Sequence, residues 1–406
     1  MKKSKTQNIY KVIMLVFLTA IITFLVTTIY MYNKLGNAYS LSDLTSSVSE
    51  EDGSEKNLIK TLKEFNTLLS NSYIGVMNKD NMIEGAIKGY VDGIGDPYTQ
   101  YLTAEEMSEL TEETSGKYVG IGVYVTNDTQ NNTILVVGII DDSPALDVGI
   151  QAGDIIEKIN GIKYTGEQLN EATSILKGEA GTDVTVTILR DDEEKELKIT
   201  RRTITVKHVG SIMVDDYGYI QIDSFDDGVA DDFETAFNKL KEQQMKGLII
   251  DLRNNGGGVV DEATKIASMF TKKGETILIT KDKNEKEEKT YSDRDPIVKD
   301  LPVVVLINEA TASASEILAG ALRDNYGAKI VGKNSYGKGV IQTVYKLTDG
   351  SGLKITTNSY YTPKYTAINA VGIKPDVEVE LQTTTSEDDT DTQLKKAMEV
   401  LAEEIK

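Results

Sequence analysis

Between Lys117 and Arg202 the chain is built of short β-branched runs, whereas after His208 such runs alternate with amphipathic helical stretches. A single continuous core does not produce that contrast. The first block carries runs at 118–125, 133–140, 155–159 and 184–189 with one helical piece at about 166–176, which predicts a compact, strand-rich module. The second predicts strands at 217–222, 247–252, 303–307, 330–331 and 339–346, and helices at 230–244, 261–270 and 314–324. Strand and helix in turn indicate an α/β domain on a largely parallel sheet. The charged segment 281–294 reads as an exposed loop or hairpin. A length of 406 residues accommodates two or three such domains.

The N-terminal part has a different texture. Lys2, Lys3, Lys5 and Lys11 precede an uncharged apolar stretch, 12–32, whose 21 residues are enough to cross a bilayer. The apolar part of a cleavable signal peptide is shorter, about 7 to 15 residues, and a core helix of this length ordinarily has a charged face. An uncleaved single-pass anchor is therefore expected. The lysine bias places residues before the span in the cytoplasm and the whole of the chain after it, both folded blocks included, outside. A Ser-, Asp- and Glu-rich tether follows, then two amphipathic helices within 57–91, marked by Leu58, Leu62, Phe65, Leu68 and Leu69, and a short acidic helix from about Thr103. An acidic stretch at 386–391 precedes a final helix at 392–405. The helices at 57–91 and 392–405 offer faces either for a homodimer contact or for packing on their own core.

Composition limits the chemistry. With no cysteine there are no disulfides, thiolate metal sites or cysteine nucleophiles, and with one histidine, His208, there is no two-histidine metal site. No cofactor and no metal are expected. Sixty-four acidic against 44 basic residues give a formal net charge of −20, which argues against nucleic acid as a partner. His208 lies in a polar stretch without triad partners around it and reads as a surface or interdomain residue.

The apolar run 303–307 leads into Asn308, Glu309, Ala310, Thr311, Ala312, Ser313, Ala314, Ser315 and Glu316, where a helix begins. A serine between alanines on a strand-to-helix turn leaves room for a substrate backbone, and the helix N-terminus offers amides to an oxyanion. Helix capping by Ser313 and Glu316 explains the same residues. A serine hydroxyl needs a base, and Lys338, between Gly337 and Gly339 ahead of another apolar run, is a lysine that burial could bring to a neutral amine. An ordinary turn lysine is the alternative.

Taken together, the motifs resemble those of the C-terminal processing peptidases, tail-specific serine proteases with an inserted PDZ domain. The resemblance runs from about Asn57 to Leu381 through seven motifs in order: Asp96-Pro97-Tyr98-Thr99; Gly120-Ile121-Gly122; Ser143-Pro144-Ala145 with Gly149, Ala152, Gly153 and Asp154; Asp251-Leu252-Arg253 with Asn255, Gly257 and Gly258; Ser313-Ala314-Ser315-Glu316; Gly337-Lys338-Gly339 with Gln342; and Gly372-Ile373 with Pro375-Asp376. It implies an α/β, crotonase/ClpP-like peptidase core with an inserted strand-rich PDZ domain, an N-terminal helical region and the N-terminal anchor. The implied division is 1–37 basic stub and anchor, 38–56 tether, 57–114 helical region, 115–203 PDZ domain, 204–382 peptidase core, and 383–406 acidic linker and last helix.

The same resemblance implies Ser313 as nucleophile, Lys338 as general base and Gln342 as the residue that orients the lysine. Four residues along an ideal strand span roughly 13 Å, so Gln342 meets Lys338 only if the chain bends near Gly339. The resemblance further implies oxyanion donors at Ala314 and in the 256–258 turn, taken at Gly257, and a supporting role for Asp324, which an exposed helix-end carboxylate would explain equally. Gly120, Ile121 and Gly122 would form the PDZ loop that holds a C-terminal carboxylate, making protein or peptide tails the partners. Ala310, Thr311, Gly256, Lys364 and Tyr365 depart from the family pattern. The competing readings are a catalytically inactive, membrane-tethered PDZ scaffold and an acyl-CoA-handling enzyme on the same core, the latter without basic residues near the glycine turn.

Overall fold

The computed structural model describes residues 53–382 and 391–405. The expected anchor at 12–32 lies outside the described residues, and no described helix is long and apolar enough to cross a membrane. By contact density the chain divides into two units, one holding the N-terminal helices with 343–355, the other holding 106–342 and 356–405.

In the first unit the helices Gly53–Ser72 and Lys79–Asp92 realise the two expected amphipathic stretches. Asn78 caps the second by accepting from the amides of Asp80 and Asn81. Leu58, Leu62, Phe65, Leu68 and Leu69 are all exposed, so the first helix does not bury its apolar row on a core of its own. The strand Gln100–Leu102 pairs antiparallel with residues 352–354.

The second unit contains the alternating region, and its sheet is parallel as the pattern predicts. Its strands run in the order Val209–Val214, Tyr217–Ile222, Gly247–Asp251, Val303–Ile307, Lys329–Gly332 and Val377–Glu378, with only the first pairing antiparallel. Gly247–Asp251 and Val303–Ile307 are buried at every residue, because both faces of the sheet are covered. The period of two sorts their side chains. Leu248, Ile250, Val303, Val305 and Ile307 pack under the helices Val229–Glu242, Val260–Ser268 and Ala314–Ala321. Ile249, Val304, Leu306 and Val331 meet Ala397, Val400 and Leu401 of the last helix, Thr392–Glu404. This last helix therefore covers a sheet face, which settles the alternative left open for it in favour of packing. The charged insert is a hairpin, Thr276–Asp282 against Glu287–Tyr291.

The strand-rich block folds as expected around Ile134, Val136, Ile156, Val186, Ile188 and Ile199. Glu193–Thr200, too charged to read as a strand, forms one against Asp183–Arg190, with Ile199 alone buried. A two-stranded ribbon, Lys117–Gly120 against Arg202–Thr205, carries the chain into and out of this module.

Candidate active site

Ser313, Asn255 and the glycine turn meet at the carboxyl ends of the parallel strands, where open α/β sheets place their ligands. Asn255, fully buried, is the hub. Its side-chain amide donates to the Ile222 carbonyl (2.8 Å) and its side-chain oxygen accepts from the Gly257 amide (2.8 Å). Its main-chain carbonyl accepts from the Ala312 amide and the Ser315 hydroxyl, both at 3.0 Å. Thr311, also buried, donates its hydroxyl to the Leu252 carbonyl at 2.8 Å. The loop that carries Ser313 is thus sewn to the loop that carries the glycines.

Ser313 has φ +55° and ψ −117°, a backbone state that L residues rarely occupy and that costs about 1–3 kcal/mol. A residue present only to cap a helix takes an extended conformation without that cost. The strain is therefore unexplained by capping and fits a serine that must be presented at a sharp turn. Glu316 accepts the Ser313 amide at 2.9 Å, as the glutamate of a capping box would, and it does more. The carboxylate is fully buried. The oxygen that takes the Ser313 amide also takes that of Lys338 (3.0 Å), and its other oxygen takes the Gly337 amide (2.8 Å) and the Ser335 hydroxyl. Four donors match the roughly four acceptor positions of a carboxylate.

On the carbonyl side the same two residues meet a second group. The Tyr360 hydroxyl lies 2.6 Å from the Lys338 carbonyl oxygen and 3.1 Å from that of Ser313, with its ring buried. The structure therefore brings together residues 25 positions apart in sequence, through two side chains to which the sequence assigned no such role. Lys338 precedes the strand Val340–Lys346 in a turn where Gly337 has φ +90°, and both Ser313 and Lys338 are partly exposed.

The remaining predicted residues divide. Ala314 begins its helix, and its amide has no hydrogen-bond partner among the described residues. The Gly257 amide is engaged by Asn255, so Gly257 does not supply the free donor expected of it in this conformation. What it supplies is space: with φ +103°, a Cβ there would lie 2.8 Å from the Ala312 oxygen and the Ser313 Cβ and 2.9 Å from the Ala314 nitrogen. Gln342 donates to the Thr356 hydroxyl at 3.3 Å. Asp324 accepts the Lys364 amide at 3.0 Å and lies 3.6 Å from Arg323, so it anchors the 362–366 turn and does not reach Ser313 or Lys338.

Gly120, Ile121 and Gly122 border a groove of about 190 Å³ whose opposite wall is Thr173, Leu176 and Lys177 at the end of the helix Leu169–Leu176. Tyr118 and Lys177 also line a larger cavity of about 640 Å³ that reaches Ser224, Asp226 and His208. Phe225, between Ser224 and Asp226, is bridged to Gly258 of the glycine turn. His208 pairs with Asp226 at 2.8 Å at this junction. The bond to Asp226 raises the histidine pKa against the opposing effect of burial. Burial would raise that of Asp226, but bonds from His208 and Ser224 outweigh it and lower it. The interdomain alternative for His208 is the one realised.

Residues 216–379 match the sequence model of peptidase family S41, residues 119–200 that of the PDZ domain, and residues 16–106 that of the activating protease CtpB N-terminal domain. A probable CtpA-like serine protease of Staphylococcus epidermidis is 35% identical over 366 residues, covering 90% of this chain and 71% of that protein. A carboxy-terminal-processing protease of Bartonella bacilliformis is 36% identical over 351 residues, covering 84% and 80%. Among solved structures, a putative S41 protease from Bacteroides fragilis shares the fold at 17% identity with a TM-score of 0.53, covering 82% of this chain and 93% of its own.

Proposed function

From the premise that this chain belongs to peptidase family S41 and is a serine protease of the carboxy-terminal-processing kind, we propose that Ser313 is the nucleophile and Lys338 its general base. The observation that carries this is the common hold on the two main chains, amides on Glu316 and carbonyls on Tyr360. In the reaction the neutral Lys338 amine takes the Ser313 hydroxyl proton as the oxygen attacks the scissile carbonyl. The developing oxyanion is held by the Ala314 amide at the positive end of its helix. Collapse of the tetrahedral intermediate breaks the C–N bond, and Lys338 returns the proton to the leaving amine. A water, deprotonated by the same amine, then hydrolyses the Ser313 ester. With its amide nitrogen on Thr356, Gln342 keeps its amide oxygen to orient the Lys338 ammonium.

We assign to the PDZ module the capture of substrate C-terminal tails by strand addition along the 120–122 loop. In support, the groove shares Tyr118 and Lys177 with the cavity that reaches Ser224 and Asp226, on either side of the Phe225 bridged to Gly258. The apolar stretch 12–32 serves as a single-pass anchor with the protease outside the cytoplasm, and the exposed apolar row of the helix Gly53–Ser72 supports self-association.

The test uses a serine-directed phosphonate probe and an unstructured peptide substrate. Wild type is labelled and cleaves; Ser313→Ala loses both, and Lys338→Ala loses cleavage with its fold intact. Full cleavage by Lys338→Ala would discard the assigned base, and tail binding without any labelling of Ser313 would favour the inactive scaffold.

A further inference from the structure

Lys338 is flanked by two glycines that have no side chain to anchor it, and a Cβ at either would meet the 369–372 main chain at 3.0 Å or less, so its segment is held through main-chain contacts. Those contacts must hold it in one register with Ser313 if its amine is to meet one hydroxyl. Glu316 secures the amides of Gly337 and Lys338 and the Ala370 amide takes the Gly337 carbonyl at 2.8 Å, which leaves the carbonyls of Lys338 and Gly339. The strand residue Tyr360 donates to both, with its own amide on the Gly339 carbonyl at 3.0 Å and its hydroxyl on the Lys338 carbonyl at 2.6 Å.

We propose that Tyr360 is a positioning residue for acyl transfer, its hydroxyl fixing the main chain of Lys338 against that of Ser313. A phenol has one proton to give. The shorter contact makes Lys338 the favoured acceptor, and the Ser313 carbonyl, at 3.1 Å, is a second acceptor for the same proton. One O–H thus stands between both halves of the catalytic pair, on a ring 1% exposed and packed in the main core, so that it does not move with the loop it holds. Without that proton the two carbonyls and the Glu316 carboxylate, 3.5 Å away, are acceptors with one donor fewer. The Lys338 segment would then be free to shift by the ångström or so that misplaces a base. The inference rests on Ser313 and Lys338 being nucleophile and base.

The test compares full-length wild type, Tyr360→Phe and the neighbouring control Tyr361→Phe in cleavage of an unstructured peptide, in rate of labelling by a serine-directed phosphonate, and in thermal melting. Tyr360→Phe is expected to lower kcat about ten- to hundredfold with KM within about twofold, and Tyr361→Phe to leave both unchanged. In a Lys338→Ala background, Tyr360→Phe should add nothing to the residual labelling rate, because it acts through the lysine. Should Tyr360→Phe melt early, site-specific difluorotyrosine at 360 keeps the ring and its hydroxyl but loses its proton at lower pH. Its kcat should then fall with rising pH where wild type does not. An unchanged kcat in Tyr360→Phe, an additive loss in the lysine-free background, or a flat pH profile for the fluorinated protein each overturns the proposal. Undiminished labelling of Ser313→Ala would instead overturn the catalytic assignment beneath it.

Discussion

The main-chain amides of Ser313 and Lys338 donate to the same carboxylate oxygen of Glu316, at 2.9 and 3.0 Å. Two residues that the chain separates by a helix, a turn and a strand are thereby held no farther apart at their nitrogens than two hydrogen bonds laid end to end. This relationship makes Glu316 the structural keystone of the candidate site.

Glu316→Gln preserves shape but not valence. One amide oxygen cannot satisfy all the donors that now face the carboxylate, and the new NH₂ confronts donors on its own side. At about 1–3 kcal/mol for each buried donor left unpaired, and about two left unpaired, unfolding in urea should show a loss of roughly 2–6 kcal/mol. Peptide cleavage should fall by at least about a hundredfold.

Gly257→Ala should leave the secondary structure in place and remove activity. The added Cβ meets the Ala312 oxygen, the Ser313 Cβ and the Ala314 nitrogen inside 3 Å, at a backbone φ of +103° that alanine resists. The loops must part where the oxyanion would form, so kcat is expected to drop by about a hundredfold or more, read in a peptide assay beside a circular-dichroism spectrum.

The His208–Asp226 pair gives a pH-dependent term with a defined sign. The folded histidine has its pKa above the ordinary 6.5, so its contribution is complete below that value and disappears as pH rises through the folded pKa. Folded Asp226 titrates below the ordinary 3.8, so its contribution is complete above 3.8 and is lost as pH falls through the folded pKa. The difference in melting temperature between wild type and His208→Gln should therefore be largest between these two ordinary values and shrink toward alkaline pH. A difference that grows above neutrality would contradict the pairing.

Arg253 joins the start of the last helix to the end of a core strand. It donates to Asp251 at 2.6–3.0 Å and to Asp391 at 2.7 Å, and Asp251 is buried. Arg253→Ala strands that carboxylate with the Tyr219 hydroxyl as its remaining side-chain donor. A destabilisation of about 3–5 kcal/mol is expected in denaturant unfolding, with the last helix exchanging its amide hydrogens early.

Excision of the PDZ module should be tolerated by the core. Lys117 and Thr205 face each other across the antiparallel ribbon, about 5 Å apart, so a two- or three-residue turn can rejoin the chain. The shortened protein is expected to retain labelling of Ser313 by a small probe and to lose its dependence on the substrate's C-terminal residues. Loss of labelling with a folded core would mean that the module shapes the active site itself.

The sequence by itself determined the elements that repeat a period and the groups that chemistry requires. The fully buried apolar runs at 247–251 and 303–307 and the amphipathic helices Val229–Glu242 and Val260–Ser268 were legible because local patterning and core packing agree there. Ser313 and Lys338 were put forward as candidates by the motifs that carry them. Glu193–Thr200 was not, because its outward side chains are charged and the neighbouring strand alone makes it a strand. Nor was Tyr360, 22 residues beyond Lys338 on another strand, whose hydroxyl has meaning only once that strand lies under the Lys338 carbonyl. Glu316 read as a helix cap, and only the folded chain brings Ser335, Gly337 and Lys338 to the same carboxylate. Local periodicity is written in consecutive residues; a hydrogen bond across the fold depends on every segment between its partners being packed, and so it is decided by the tertiary structure alone.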